Sequence, residues 1–163
     1  MKAPLSLLLV VSWDRAAPGG VNQIVLNLAR EAARHGRLRP IIFCDDASQD
    51  GLRITREHAG ILFASGRLRA PIGERESVGN LMMFARGLRA ELKAWRAFIE
   101  RHNIQIINAH YPALNYVVFS LLRRSGHGSL RLLYSLHGSD ITSLQNHGRT
   151  LLNAARWMLH QAD

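Results

Sequence analysis

The sequence has 163 residues, enough for one domain with a full hydrophobic core and too few for two large ones. Hydrophobic residues make up 47% and charged residues 20%, a composition that argues against a disordered chain. The formal net charge is +9, from 21 basic and 12 acidic residues. Such a surplus attracts anionic partners, but a compositional bias towards arginine explains it equally well, because net charge informs on steering rather than on fold.

Short apolar runs alternate with longer segments of helical period along the chain. Residues 5–12 predict a buried strand, and the helix that follows ends at Gly36. Asn22 falls on the polar side of this helix, whose predicted apolar face comprises Val21, Ile24, Val25, Leu28 and Ala32. Further strands are predicted at 40–44, 60–65, 104–109 and 130–136, and further helices at about 81–99, 112–124 and 141–161.

This alternation predicts the fold class. It indicates an α/β fold in which a parallel sheet carries helices on both faces. In such sheets, ligands bind beyond the carboxyl ends of the strands. Candidate functional residues are therefore expected in the loops that directly follow each strand.

The loop after the first strand ends in two adjacent glycines, Gly19 and Gly20. Glycine lets the backbone approach a ligand closely, and the helix N-terminus behind the pair offers unpaired N–H groups to a phosphate or a sugar hydroxyl. The loop lacks both the dinucleotide-binding fingerprint and the lysine and hydroxyl of a P-loop. From spacing alone, a plain turn is the commoner explanation of such a pair.

Histidines follow two consecutive strands. His110 comes at the end of the fourth predicted strand, and His137 ends the fifth. Both are expected to face one cleft, where histidine can hydrogen-bond sugar hydroxyls or stabilise charge. Asp140 follows closely, although an aspartate there is more often a helix cap. The sequence contains no recognisable metal-binding motif and no carboxylate pair placed for glycosidase chemistry.

Three separated segments resemble one family. Residues 18–21 (PGGV), leading into 24–30 (IVLNLAR) and ending at 35–36 (HG), resemble the Gly-Gly loop and first helix of glycosyltransferase family 4. Residues 106–110 (IINAH) are similar to the family's fourth strand with its terminal histidine. Residues 133–140 (LYSLHGSD) are similar to its T-x-H-G-x-D strand end. Order and spacing agree over nearly the whole chain.

The resemblance implies a GT-B architecture, in which two Rossmann-like domains face a cleft. Residues 1–163 would form the N-terminal, acceptor-side domain, and the C-terminal donor-binding domain is absent from this sequence. The implied reaction is retaining transfer of a sugar from a nucleotide-diphosphate sugar to a glycan or lipid-linked acceptor, in cell-envelope polysaccharide synthesis. No metal or other cofactor is implied, because the nucleotide sugar is a co-substrate. Without the second domain, the chain is expected to be inactive.

The resemblance also implies residue roles. His110 and His137 would be the catalytic residues lining the sugar site, while the glycine pair would approach the donor diphosphate. The candidate substrate- and donor-binding residues are Gly19, Gly20, Asn22 and Asp140. The expected location is cytoplasmic, with a peripheral position on the inner face of the membrane as a further hypothesis.

The membrane hypothesis depends on the helix at 81–101, whose apolar stripe contains Phe84 and Trp95 between basic residues. A basic amphipathic helix can lie on anionic lipid, although packing of this stripe against the sheet is the favoured explanation. Two other functions stay open. One is another GT-B enzyme, such as a sugar-nucleotide 2-epimerase. The other is a non-enzymatic Rossmann-like module for anionic partners, but no pattern of a nucleic-acid site is present and nucleic acid is not an expected partner.

Overall fold

The computed structural model describes residues 4–12, 19–46, 48–49, 51–71, 78–126, 129–138 and 149–163. The strands are β1 (Leu5–Val11), β2 (Leu38–Asp45), β3 (Arg53–His58), β4 (Ile61–Gly66), β5 (Ile104–His110) and β6 (Arg131–Ser135). The helices are α1 (Gly20–His35), α2 (Val78–Arg101), α3 (Val117–Arg124) and α4 (Arg149–Leu159), with a 3₁₀ turn at Leu114–Tyr116.

The strands form one six-stranded sheet in the order β3-β4-β2-β1-β5-β6. Five strands run parallel, so that β4, β2, β1, β5 and β6 place their carboxyl ends at one edge. This arrangement confirms the predicted α/β fold with a largely parallel, Rossmann-like sheet. The boundaries of β1, β2, β4, β5 and β6 lie within two residues of the predicted ones.

The outermost strand, β3, is a correction to the sequence analysis, which predicted no strand between residues 44 and 60. It pairs antiparallel with β4 through a turn at Ala59 and Gly60, whose φ angles are 51° and 75°. Positive φ at both turn residues is the geometry of a tight hairpin. The strand escaped prediction because nearly all its side chains are polar and exposed, so no apolar run marks it.

Helices cover both faces of the sheet, as predicted, and enclose two clusters of buried side chains. On one face α1 packs on β1, β2 and β4, and on the other face α2, α3 and α4 pack over the rest of the core. The buried stripe of α1 differs in part from the predicted one: Val25 and Ala32 are buried as predicted, but Asn22 is only 5% exposed, whereas Ile24 is 50% exposed. The small Ala29 and Ala32 face the sheet with Val25, in place of the larger Ile24 and Leu28, which allows the helix to approach the strands closely.

The apolar stripe of α2 packs inside the domain. Trp95 is fully buried, and its ring meets those of Phe43 and Phe119 edge-on at centroid distances of 5.0 and 4.8 Å. Phe84 is buried too, while Leu81 near the helix start is exposed. The stripe therefore belongs mainly to the core. None of the described helices has the length and apolar character needed to cross a membrane.

The segment after β5 is a second correction. The sequence predicts a helix beginning at about Pro112, but α3 begins at Val117, after the 3₁₀ turn. Tyr111 has a φ of 60°, a left-handed conformation that turns the chain away from the strand end. The 3₁₀ turn that follows brings Asn115 and Tyr116 back towards the strand ends, at the site described below.

Candidate functional site

Two histidines meet at the carboxyl ends of neighbouring strands. His110 is the last residue of β5 and lies in register with Ser135, the last residue of β6; His137 follows two residues later. Tyr111 N–H donates to the Ser135 carbonyl at 3.0 Å and continues the ladder past the strand end. The Nδ1 atom of His110 lies 3.2 Å from Nε2 of His137, and the rings stack with an interplanar angle of 26°. The structure thus brings together the two predicted catalytic residues.

Burial sets the charge of His110. His110 is only 2% exposed, and this burial, assisted by the charge of His137, lowers the pKa of His110 to about 4. The ring of His110 is therefore neutral at pH 7. A contact between two ring nitrogens needs one donor and one acceptor, so the tautomer of each ring is tied to that of the other. The second nitrogen of His110, Nε2, is buried and has no hydrogen-bond partner among the described residues.

Tyr116 anchors the backbone of His110. The buried Tyr116 hydroxyl donates to the His110 carbonyl at 3.2 Å, and lies 2.6 Å from Oγ of Ser12. Because a phenol has a single proton, the Ser12 hydroxyl then donates to the tyrosine oxygen. Burial raises the pKa of Tyr116, which keeps the phenol protonated. The end of β5 is thereby tied to the residue that follows β1.

A carboxylate at the end of β2 joins two loops of the same edge. Asp45 accepts the Leu68 backbone N–H at 2.8 Å through one oxygen and the Asn115 side-chain amide at 2.9 Å through the other. Burial raises the pKa of Asp45, while these two hydrogen bonds act in the opposite direction. Asp45 thus fixes the 3₁₀ turn that carries Tyr116.

Sequence analysis missed Asp45, Asn115 and Tyr116 as members of this site. The position of Asp45 could have marked it as a candidate, because it ends a buried strand in the same way as His110. No feature of the sequence marks Asn115 and Tyr116 as site residues, since the sequence predicts a regular helix where the structure has a 3₁₀ turn.

The glycine pair lies at the start of α1. Gly19 has an extended backbone with φ of 175°, and Gly20 is the first helical residue. A Cβ added to either glycine would meet no atom of the described residues within 4 Å. Within the described residues, therefore, no contact demands glycine at the two positions, and a helix N-terminus without side chains at its first residues suits the close approach of a ligand.

The remaining predicted residues have different outcomes. Asn22 lies in the first turn of α1 and is buried, not on the exposed polar face expected from its sequence period. Asp140 lies outside the described residues.

Within the described ranges, no group of three or more histidine, cysteine, aspartate and glutamate side chains is arranged to hold a metal ion. The arrangement offers neutral hydrogen-bonding groups, which suit hydroxylated ligands.

Comparison with known proteins identifies the family. The model of Glycosyltransferase Family 4 matches residues 18–163. Sucrose-phosphate synthase from Thermosynechococcus elongatus has a similar structure, with a TM-score of 0.62 and 19% identity over 98% of this chain and 41% of that chain. A second structure of sucrose-phosphate synthase from this organism aligns at a TM-score of 0.41 and 16% identity, over 86% of this chain and 67% of the other.

The present chain thus spans less than half the length of the first of these structures. No curated protein matches the sequence. At 19% identity the structural likeness shows a shared GT-B-type, Rossmann-like fold, and the family match covers nearly all of the chain. The chain therefore belongs to glycosyltransferase family 4.

Proposed function

We propose that this chain is the acceptor-side domain of a retaining glycosyltransferase. The enzyme would move a sugar from a nucleotide-sugar donor, held by a second domain across a cleft, to a glycan or lipid-linked acceptor. The expected setting is cell-envelope polysaccharide synthesis on the cytoplasmic side of the membrane. Family membership supports the reaction class, and the carboxyl edge of the sheet supports the location of the site.

The histidine pair is the observation that carries this proposal. Its two rings lie at the ends of adjacent strands and contact each other, and the Tyr116 hydroxyl holds the backbone of His110 by donating to its carbonyl. A pKa of about 4 leaves His110 uncharged at pH 7, so it would act by hydrogen bonding rather than as a fixed cation. A neutral ring can hold a sugar hydroxyl in place, and correct positioning accounts for a large part of the rate enhancement in two-substrate reactions.

The glycine pair supports a second part of the proposal. Within the described residues no atom occupies the space beside Gly19 and Gly20, and the partial positive charge at the N-terminus of α1 favours a phosphate group. This interaction contributes only about 0.3–1 kcal/mol at an exposed site, too little for specific donor binding alone. We therefore place the main donor site in the second domain, with the glycine pair facing the diphosphate across the cleft.

The proposal is tested by joining this domain to a donor-binding domain of the family and following sugar transfer by NMR. We expect transfer with retention at the anomeric carbon, in the absence of added metal. Inversion would contradict the retaining mechanism, and no transfer from any nucleotide sugar to glycan or lipid-linked acceptors would contradict the function.

The assignment to the acceptor side has its own test. Calorimetric titration of the 163-residue chain with UDP- and GDP-sugars should show no measurable binding. Micromolar affinity would place the donor site in this half and overturn the assignment.

A further inference from the structure

The start of α2 extends beyond the packed core of the domain. Leu81, Met82 and Met83 are 51%, 56% and 67% exposed, whereas Phe84, which follows them, is buried. Single exposed hydrophobic residues are common, but three in succession form an apolar patch, and we name these three the apolar tip. Because α2 follows the carboxyl end of β4 and leads through residues 102–103 into the first residue of β5, it begins at the carboxyl edge of the sheet. The apolar tip is therefore exposed at the edge that carries the histidine pair.

The apolar tip is apolar on both sides of the helix axis. Successive residues of an α-helix are about 100° apart, so Leu81 and Met83 lie on nearly opposite sides. Leu81 lies on the side that carries Trp95 into the core further along the helix, and Met83 lies on the outward side. A protein groove covers one side of a docked helix, through residues three or four positions apart, whereas fluid lipid surrounds a helix end. The arrangement therefore favours a lipid surface over a protein groove.

Exposed basic residues follow the apolar tip along α2. Arg86, Arg89 and Lys93 are exposed and lie within about 60° of one another around the helix axis, so they form one basic face. With a rise of about 1.5 Å per residue, this basic face begins about 5 Å and ends about 15 Å behind Met83. Interfacial helices bury their apolar side chains about 5–10 Å into the boundary between headgroups and acyl chains. The basic face would thus meet the headgroups when the apolar tip is inserted end-on.

The surroundings of the basic face are also positively charged. Arg67 and Arg69, in the segment after β4, are exposed, and Arg69 lies against Gly87 of α2. Between residues 78 and 99 the sequence has one acidic residue, Glu91, whose side chain is half-buried. This surface is therefore complementary to anionic lipid headgroups, which attract basic side chains.

We propose that the start of α2 is a docking site for an anionic membrane surface. The apolar tip inserts among the lipids, and the basic face binds the headgroup phosphates. The stripe around Trp95 stays in the core, so the helix enters the surface by its end and does not lie along it. This contact places the edge of the sheet that carries the histidine pair next to the bilayer. The proposal concerns binding alone and does not depend on the proposed transfer reaction.

The test is flotation of the 163-residue chain with lipid vesicles. One set of vesicles contains phosphatidylcholine alone, and the other an equal mixture of phosphatidylcholine and phosphatidylglycerol. We expect saturable binding to the anionic vesicles and at least about tenfold weaker binding to the neutral ones, because each basic residue near an anionic surface contributes a factor of about five.

A pair of double variants tests the apolar tip. Met82→Ser combined with Met83→Ser should weaken binding to the anionic vesicles at least about tenfold, because binding strength scales with the buried apolar area. Ile24→Ser combined with Leu28→Ser is the matched control, since these residues of α1 are 50% and 40% exposed. The control should bind the vesicles as the wild type does.

A second pair tests the basic face. Arg86→Gln combined with Arg89→Gln should weaken binding about twentyfold, from a factor of about five for each charge. Arg37→Gln combined with Arg39→Gln changes the net charge equally, but these exposed arginines lie near the start of β2, at the opposite edge of the sheet. This control should lose clearly less, because charges further from the lipid than about 10 Å are largely screened.

A fluorescent side chain reports insertion directly. The emission of Met83→Trp should shift to shorter wavelength on anionic vesicles and be quenched by brominated acyl chains, because an inserted indole leaves water. Ile24→Trp is the matched control on α1 and should show neither change.

Five results would each overturn the proposal. They are no binding to anionic vesicles, equal binding to both kinds of vesicle, equal loss of binding in the two serine double variants, equal loss in the two glutamine double variants, and no emission change in Met83→Trp. Thermal denaturation of each variant shows whether a loss of binding comes from unfolding.

Discussion

The buried histidine of the site makes the stability of the domain depend on pH. An unfolded histidine has a pKa of about 6.5, whereas His110 in the folded protein has a pKa of about 4. Between these values the unfolded chain binds a proton that the folded protein does not. The free energy of unfolding therefore keeps its full value, as far as His110 contributes, above about pH 7. It falls as the pH drops through this window, and the contribution of His110 is lost below about pH 4. The loss amounts to about 2 kcal/mol at pH 5 and roughly 3 kcal/mol in total.

Urea denaturation at pH 7 and pH 5 measures this effect. Other groups titrate in the same range, so the informative quantity is the difference between the wild type and His110→Asn. Asparagine places an amide near the position of the ring Nδ1 but does not titrate. We expect the wild type to lose about 2 kcal/mol more than this variant between the two pH values. His58→Asn, on an exposed strand, is the matched control and should follow the wild type.

Parallel stability curves for the wild type and His110→Asn would refute this reasoning. They would mean that His110 titrates normally in the folded protein, and that its ring is neither as buried nor as neutral as the structure indicates.

Three further substitutions test the support of the site. Tyr116→Phe should cost about 1–3 kcal/mol and shift the NMR signals of the His110 ring, whereas Tyr134→Phe, which removes a hydroxyl bonded to the buried Ser120, should destabilise without moving them. Asp45→Ala leaves two donors unpaired and should cost about 1–3 kcal/mol in urea denaturation, whereas Asp46→Ala, in its exposed turn, should cost clearly less. Gly20→Ala should leave the melting temperature unchanged or higher while lowering transfer by the two-domain enzyme. A clear loss of stability in Gly20→Ala would show a structural role for that glycine.

Much of the fold could be predicted from the sequence because its central strands are continuous apolar runs. β1 and the centre of β2 are buried on both faces of a parallel sheet and are blocks of apolar residues, and β5 is marked by its three isoleucines. The strand ends then follow directly, and with them the meeting of His110 and His137. A side chain at the end of a central strand lies at the carboxyl edge of the sheet, so the sequence suffices to predict its position.

The features that escaped prediction depend on tertiary contacts. β3 is polar because only its pairing with β4 makes it a strand. The buried face of α1 is set by how closely Ala29 and Ala32 let the helix approach the sheet, which the larger aliphatics in its sequence conceal. Asn115 reaches Asp45 across 70 residues of sequence, through a turn that begins with the left-handed Tyr111. The spacing of apolar residues along the chain cannot predict such a long-range contact.

The most direct test of the proposed function is the turnover of a two-domain enzyme that contains this domain, compared with its His110→Ala and His58→Ala variants. Loss of a positioned catalytic group typically reduces turnover by about 10²-fold or more. We predict a decrease of that size for His110→Ala, while His58→Ala retains the turnover of the wild type. Equal turnover in all three proteins would contradict the proposal that the histidine pair forms the catalytic site.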